Sequence, residues 1–301
     1  MICLKCLLKF EKKDQIHYGL HLSCFMKWFD VPHAVDFISV QRKSNSSSGS
    51  KSGHEPQNIS FFHGKFKKYS AELNNHSFII KMRQVEAKEL PEVEYLSNQI
   101  AVLVGIPVAE FFFIDFYGDK TFVTKNFIMP AFAPKDLQHI YHFRPDDQHS
   151  CAGIINAVAK KTKRPHDIRV IIKTILFDAL IGNHDRHGRN LAFIVKAKEM
   201  ILSPIYDNVS YLALEEGEML KAHHNPTGRI STNHTYEPSM HDYVKELKRL
   251  GYEENIKEFY QGIKLDQMIK LIDQSFCSEL MKEAIKTLVK RRFKEIENEI
   301  T

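Results

Sequence analysis

The sequence predicts an α+β chain in two lobes, a mixed strand-and-helix N-terminal lobe followed by a mostly helical C-terminal one. Three observations carry that expectation. Up to about residue 133, short apolar runs alternate with glycine and polar residues, with one helical pattern set among them. Beyond Pro134 the period changes: "RPHDIRVIIKTILFDALIGN" is a strong apolar helix, and from residue 240 onward nearly every segment has helical spacing with charge on one face. Finally, 301 residues at 43% hydrophobic composition can bury enough surface for two closely packed lobes.

Taken in order, residues 1–30 hold "CLKC" and "HYGLHLSC" and read as a small Cys/His module. Residues 41–57, "QRKSNSSSGSKSGHEPQ", have almost no apolar material to offset the entropy of ordering, and are expected to be a flexible linker or loop. The N-lobe is expected over 57–133. Two strands between 59 and 82 meet near Glu72 to His76 and end in "HSFIIKM". In "ELPEVEYLSNQIAVLVG", Leu96, Ile100, Leu103 and Val104 recur at helical spacing, Pro91 suits the first turn and Gly105 the end. "VAEFFFIDF" and "KTFVTKNFI" form a hairpin around Tyr117 to Asp119. The C-lobe is expected over 134–301, its helices interrupted by two short strands, "LAFIV" and "MILSPIYD", joined by "KAKE".

Composition narrows the function classes. Lysine and arginine number 42 against 37 acidic residues, and the resulting +5 is spread too thinly to predict nucleic-acid contact. "MICLKCLLKFEKKD" lacks the apolar core of a secretory signal and no segment reaches the length of a membrane span, so a soluble, cytoplasmic protein is expected. In a reducing compartment the five cysteines do not suggest a disulfide framework. Cys151 and Cys277 read as small apolar residues. Cys3 and Cys6 are spaced to meet one ion, and "HLSC" can return His21 and Cys24 to it, which suits tetrahedral Zn2+; His17 is the spare ligand. A small apolar cluster stapling the N-terminus is the alternative, and a single CxxC pair leaves both open.

"IGNHDRHGRNLAFIV", residues 181–195, crowds ionic and amide side chains between apolar residues, where they must be paired or ligated. Phosphoryl transfer needs a carboxylate to orient or deprotonate a nucleophile, then an amide and a second carboxylate to hold magnesium over the phosphates. Asp185, Asn190 and Asp207 supply these in that order, on a loop entering a strand and at the return of the following hairpin. Lys81, in an apolar strand, could contact the phosphates of ATP, with Glu94 on the next helix as its anchor. Singly, each has a plainer use: a surface lysine, a solvated helix residue, two turn caps. Their ordered occurrence favours the kinase reading. His184 and His187, with Asp185 or Asp207, could instead ligate a transition metal in a hydrolase, but that would leave Lys81 unexplained.

"NHDRHGRN" followed by "SPIYDNVS" resembles the catalytic and metal-binding segments of HipA-like serine/threonine kinases, the toxins of bacterial toxin–antitoxin systems. The resemblance covers roughly residues 57–290 and is to the compact, HipT-type members. It implies Asp185 as catalytic base, Asn190 and Asp207 as Mg2+ ligands, Lys81 and Glu94 as the phosphate-contacting pair, and His187 and Arg189 as supporting residues. "NISFFHGKF", residues 58–66, stands where the family carries its serine-bearing phosphate loop. Ser60, Gly64 and Lys65 fall at ATP-covering positions, although Phe61, Phe62 and His63 replace the glycine and glutamine usual before the lysine. Ser60 is then the autophosphorylation candidate, its phosphate repelling nucleotide or drawing the loop toward Lys65, Lys67 or Lys68. The resemblance further implies a translation protein such as an aminoacyl-tRNA synthetase as substrate, a HipB-like DNA-binding antitoxin and a HipS-like small subunit as partners, and nucleic-acid contact only through a partner. The altered loop also admits a catalytically weak pseudokinase or binding module.

Overall fold

The computed structural model describes residues 1–43, 68–128, 136–143, 149–188, 190–196 and 199–300. It divides into two compact units, Met1–Tyr95 with Ala109–Pro134, and Leu96–Val108 with Lys135–Thr301. Among the described residues no helix is long and apolar enough to cross a membrane.

The first unit opens with a short hairpin, β1 (Ile16–His17) and β2 (Leu20–His21), running into helix α1 (Leu22–Phe29). A five-stranded antiparallel sheet follows, made of β3 (Ile38–Lys43), β4 (Lys68–Leu73), β5 (His76–Met82), β6 (Phe111–Phe116) and β7 (Asp119–Lys125), in the order β3-β4-β5-β7-β6. Both predicted hairpins are present. Asn74 and Asn75 turn the first with φ of 47° and 60°, and Tyr117 and Gly118 turn the second with 52° and 91°. Two successive positive φ values give the turn twist that matches paired strands, and asparagine and glycine carry it at least cost.

The sheet corrects the sequence reading in two places. Residues 41–43, expected to begin a linker, complete β3 and pair with β4 through Arg42 opposite Tyr69; the remainder of the expected linker lies outside the described residues. The polar "QRK" hid this strand because an edge strand needs few buried side chains. The Cys/His module of residues 1–30 folds into the first unit rather than forming one of its own. Phe29 of α1 stacks on Phe112 with centroids 4.3 Å apart, and Phe37 meets Phe78 edge-on at 5.5 Å, so one aromatic core serves module and sheet.

Helix α2 (Leu90–Leu103) carries Pro91 in its first turn and is followed by Gly105 at φ 75°, as the sequence predicts. The division between units falls within it, after Tyr95. Residues 91–98 are all buried, including Glu92, Glu94, Ser97 and Asn98.

The second unit is helical around a three-stranded antiparallel sheet, β8 (Asp136–His139), β9 (Ala192–Lys196) and β10 (Glu199–Leu202), in the order β10-β9-β8. The expected β9–β10 hairpin is there; "DLQH" was too short and polar to announce β8. Helices α3 (Cys151–Thr162), α4 (Pro165–Ile181), α5 (Met240–Arg249), α6 (Glu253–Gly262), α7 (Leu265–Asp273) and α8 (Glu279–Ile300) complete it. Helix α4, with Pro165 at its start, is buried along most of its length and ends at Gly182, φ 71°. A Cβ there would lie 2.8 Å from Pro226 and 2.9 Å from Leu288, so glycine answers both backbone and packing. That stop releases the chain into the loop 183–190.

Candidate active site

In the first unit, β5 is a central strand covered on both faces, which buries Lys81 to 4% exposure. Glu94, at 1%, comes from the second turn of α2, and its Oε1 accepts from Lys81 Nζ. The ammonium also lies 5.7 Å from the centroid of the Phe122 ring. Beside this pair Arg83 donates through Nε to Glu92 at 3.1 Å. Burial pushes the Glu92 carboxyl above its ordinary range and Arg83 pulls it partly back.

In the second unit, Asp185, Asn190 and Asp207 are held by a polar framework behind them. Asn183 Oδ1 accepts the Asp185 backbone N–H at 3.1 Å, and Asn190 Nδ2 donates to the Asp185 carbonyl at 2.9 Å. The second bond commits the NH2 end of Asn190 and turns its amide oxygen away, as a hard cation ligand requires. His187 accepts the Asn190 N–H on its carbonyl at 2.9 Å, and its ring Nε2 lies 3.9 Å from Asp185 Oδ1. Arg229 Nη1 is 3.6 Å from the same carboxylate oxygen.

Asp207 occupies the left-handed region at φ 55°, which aspartate tolerates better than most residues. Its neighbours are clamped by Arg186. That guanidinium, 1% exposed, donates from Nε and Nη2 to the Asp178 carboxylate at 2.8 and 3.0 Å, and from Nη1 to the carbonyls of Tyr206 at 2.7 Å and Asn190 at 3.3 Å. Its Nη2 also donates to Asn208 Oδ1, and Asn208 passes the chain of bonds to Asn98 at 3.0 Å. Burial pushes Asp178 above the usual carboxylate range while Arg186 and the Asn183 amide oppose it; Asp178 in turn keeps the desolvated Arg186 charged. One side chain thus fixes the Asp185–Asn190 loop to the Tyr206–Asn208 segment. Sequence reasoning missed Arg186, Asp178, Asn98 and Asn208. The signal available was the ionic and amide run between apolar ends in "IGNHDRHGRNLAF", each member of which has to find partners if buried.

Beside Asp185 a cavity of about 630 Å³ is lined by Tyr141, His149, His184, His187, Gly228 and Arg229, among others. Gly188 fits there because its hydrogen faces His149; a Cβ would lie 2.4 Å from the imidazole. Ser60, Gly64, Lys65, Lys67 and Arg189 lie outside the described residues, as do Ser44, Ser46, Ser47, Ser48, Ser50 and Ser52. Lys68 is described, and is buried at the start of β4. Cys3, Cys6, His21 and Cys24 come together with their ligand atoms within 4.8 Å of one another, the one such cluster of three or more histidine, cysteine or acidic side chains among the described residues. His184, His187 and the nearby carboxylates form no comparable group among the described residues. Two protein oxygens suffice for Mg2+ when phosphates supply others, so Asn190 and Asp207 fit that ion chemically.

The profile of the HipA-like C-terminal domain matches residues 61–269. Y4dM of Sinorhizobium fredii (strain NBRC 101917 / NGR234), described as a kinase candidate, is 25% identical over 166 residues. That match takes in 49% of this chain and 41% of Y4dM, so the chain spans less than half the length of this curated relative. Among solved structures, the Helicobacter pylori proinflammatory kinase CtkA aligns with a TM-score of 0.64 at 18% identity, over 77% of this chain and 92% of CtkA. HipA of Shewanella oneidensis MR-1, solved with HipB and operator DNA, aligns at 0.55 with 15% identity, over 73% and 58% of the two chains. These structures share the α+β, kinase-like fold that the sequence predicts.

Proposed function

This chain belongs to the HipA-like C-terminal domain family, and from that premise we propose that it is an ATP-dependent serine/threonine protein kinase acting as the toxin of a bacterial toxin–antitoxin system. The observation that carries the reading is the Arg186 clamp, which holds the loop of Asp185 and Asn190 to the segment of Asp207. A buried arginine with five acceptors is a costly device for packing alone and a sensible one for positioning three metal- and proton-handling groups.

In this reading Asp185 orients the attacking hydroxyl and accepts its proton as the oxygen bonds the γ-phosphorus and the bond to the β,γ-bridging oxygen breaks. Mg2+, when bound, neutralises the charge developing on the phosphate oxygens. Asn190 and Asp207 present the oxygens that would hold it, and Lys81, kept in place by Glu94, supplies a cation for the nucleotide phosphates. Arg229 Nη1 and His187 Nε2 both lie beside the Asp185 carboxylate. The substrate we propose is a serine or threonine of a translation protein of the aminoacyl-tRNA synthetase class, with Ser60 as the site of autophosphorylation; both rest on the family resemblance. The Shewanella relative, solved with HipB and DNA, supports a HipB-like antitoxin as partner, and the resemblance to compact members adds a HipS-like subunit.

The test compares wild-type protein with D185N in magnesium-dependent phosphate transfer from ATP, alongside nucleotide-induced thermal protection. Loss of transfer with folding and nucleotide protection retained is expected. Full activity of well-folded D185N would overturn the assignment of the base, and absence of any magnesium–ATP binding by the wild type would overturn the kinase reading.

A further inference from the structure

The N-terminal module brings four soft or borderline ligands to one point by local backbone devices. Cys3 and Cys6 lie on a tight loop closed by Leu7 N–H to Cys3 O and Cys3 N–H to Leu8 O, both 2.9 Å, with Leu7 at φ 63°. The β1–β2 hairpin, turned at Tyr18 and Gly19 with φ of 48° and 72°, returns His21 opposite Ile16. Helix α1 starts at the next residue and so sets Cys24 in its first turn.

The geometry matches an ion rather than a packing cluster. A tetrahedral zinc with Zn–S of about 2.3 Å and Zn–N of about 2.0 Å places neighbouring sulfur and nitrogen about 3.5 Å apart. His21 Nδ1 lies 3.4 Å from Cys6 Sγ and 3.9 Å from Cys24 Sγ. Cys3 Sγ accepts the His21 backbone N–H at 3.4 Å. The other ring nitrogen, Nε2, is 3.3 Å from Asp14 Oδ2, the carboxylate partner that fixes the tautomer of a metal-bound histidine. An apolar cluster has no use for an imidazole oriented at both ends. His17 is turned elsewhere, its Nε2 bonded to Val35 O at 2.8 Å.

We propose that Cys3, Cys6, His21 and Cys24 bind one Zn2+ as a closed structural site, with Asp14 orienting His21. Three thiolates and a neutral imidazole leave the complex with one net negative charge, and Lys5, whose ammonium donates to the Cys24 carbonyl at 3.3 Å, brings a compensating cation. Four protein ligands leave no open position for water or substrate, so the ion holds structure and performs no hydrolysis. What it holds is the attachment of the module to the sheet. Tyr18 O accepts the Asp115 N–H at 2.9 Å, Gly19 packs against the Asp115 side chain too closely for any Cβ, and Trp28 meets Phe112 edge-on at 5.5 Å.

The experiment uses the full chain, purified under reducing conditions without chelator, with metal measured by mass spectrometry and free thiols by titration. About one zinc per chain is expected. Cobalt replacement should give the absorption of a tetrahedral site with thiolate charge transfer. C6S and C24S should each bring zinc well below one per chain, while D14N should retain it but release it to a competing chelator at about 10- to 100-fold lower affinity. Metal-free wild-type protein with its thiols freely titrating, or with a disulfide among Cys3, Cys6 and Cys24, would overturn the proposal. So would a D14N protein whose zinc affinity equals that of the wild type, as regards the role of Asp14.

Discussion

Lys81 and Glu94 form an ion pair at the junction of a central strand and a helix, both side chains almost wholly removed from solvent. Breaking such a pair from one side leaves a buried charge without its counter-ion, at a cost of about 3–5 kcal/mol. K81M and E94L should therefore each lower stability in urea denaturation by roughly that amount. The double variant K81M/E94L should recover most of the loss, since two apolar side chains of similar volume replace both charges. Phosphate transfer should stay absent in it. Recovered stability with recovered transfer would show that Lys81 serves packing only.

Arg186 makes the same argument for the second unit with a different geometry. R186K keeps the positive charge but cannot reproduce the fork that meets Asp178 while reaching Tyr206 O and Asn208. We expect roughly 2–4 kcal/mol of lost stability and a fall in transfer rate of at least about 100-fold, as expected when catalytic groups are misplaced by about 1 Å. Stability curves together with single-turnover transfer separate the two effects. A rate unchanged after stability is restored by lower temperature would sink the positioning role.

Gly188 lies against the His149 imidazole. G188A must displace either the ring or the loop carrying Asp185 and Asn190, and overpacking of this kind costs about 1–3 kcal/mol. Transfer should drop by at least tenfold, and H149A introduced beside it should restore part of the activity. No rescue by the second substitution would mean that the clash is relieved elsewhere.

Glu246 of α5 accepts both Nε and Nη2 of Arg249 at 2.8 Å, a two-pronged pair that holds its carboxyl below the ordinary value of 4.5. The folded state therefore binds this proton less readily than the unfolded chain. Its contribution is complete above the ordinary carboxylate value and is lost as pH falls through the depressed folded value. Arg249 is half exposed, so solvent screening keeps the contribution small. E246Q should thus be less stable than wild type at pH 7, with the difference narrowing toward pH 3 in urea titrations.

Much of the fold was legible from period and punctuation. The helix 165–181 announced itself by its apolar spacing, and the hairpins by short alternating runs meeting near Glu72 to His76 and around Tyr117 to Asp119. Strands β3 and β8 were not legible, because each lies at a sheet edge and carries polar residues that local patterning assigns to loops. The candidate site divided in the same way. Asp185, Asn190 and Asp207 were singled out because phosphoryl transfer calls for their side chains in that order, whereas Arg186, between two of them, was passed over as part of the loop.

By itself the sequence determined which chemistry is on hand: the ordered lysine, carboxylates and amide, the CxxC with its following HxxC, and the periods that place them on strands, helices and loops. The tertiary structure decided which of those groups are held and by what. It chose His21 over His17, buried Lys81 against Glu94, and made Arg186 a clamp reaching Asp178 on one side and Asn208 on the other. The physical reason is range. Turn and helix preferences act over a few neighbours, but a buried charge or amide must find its partner wherever the chain returns, as Asn98 finds Asn208 across 110 positions.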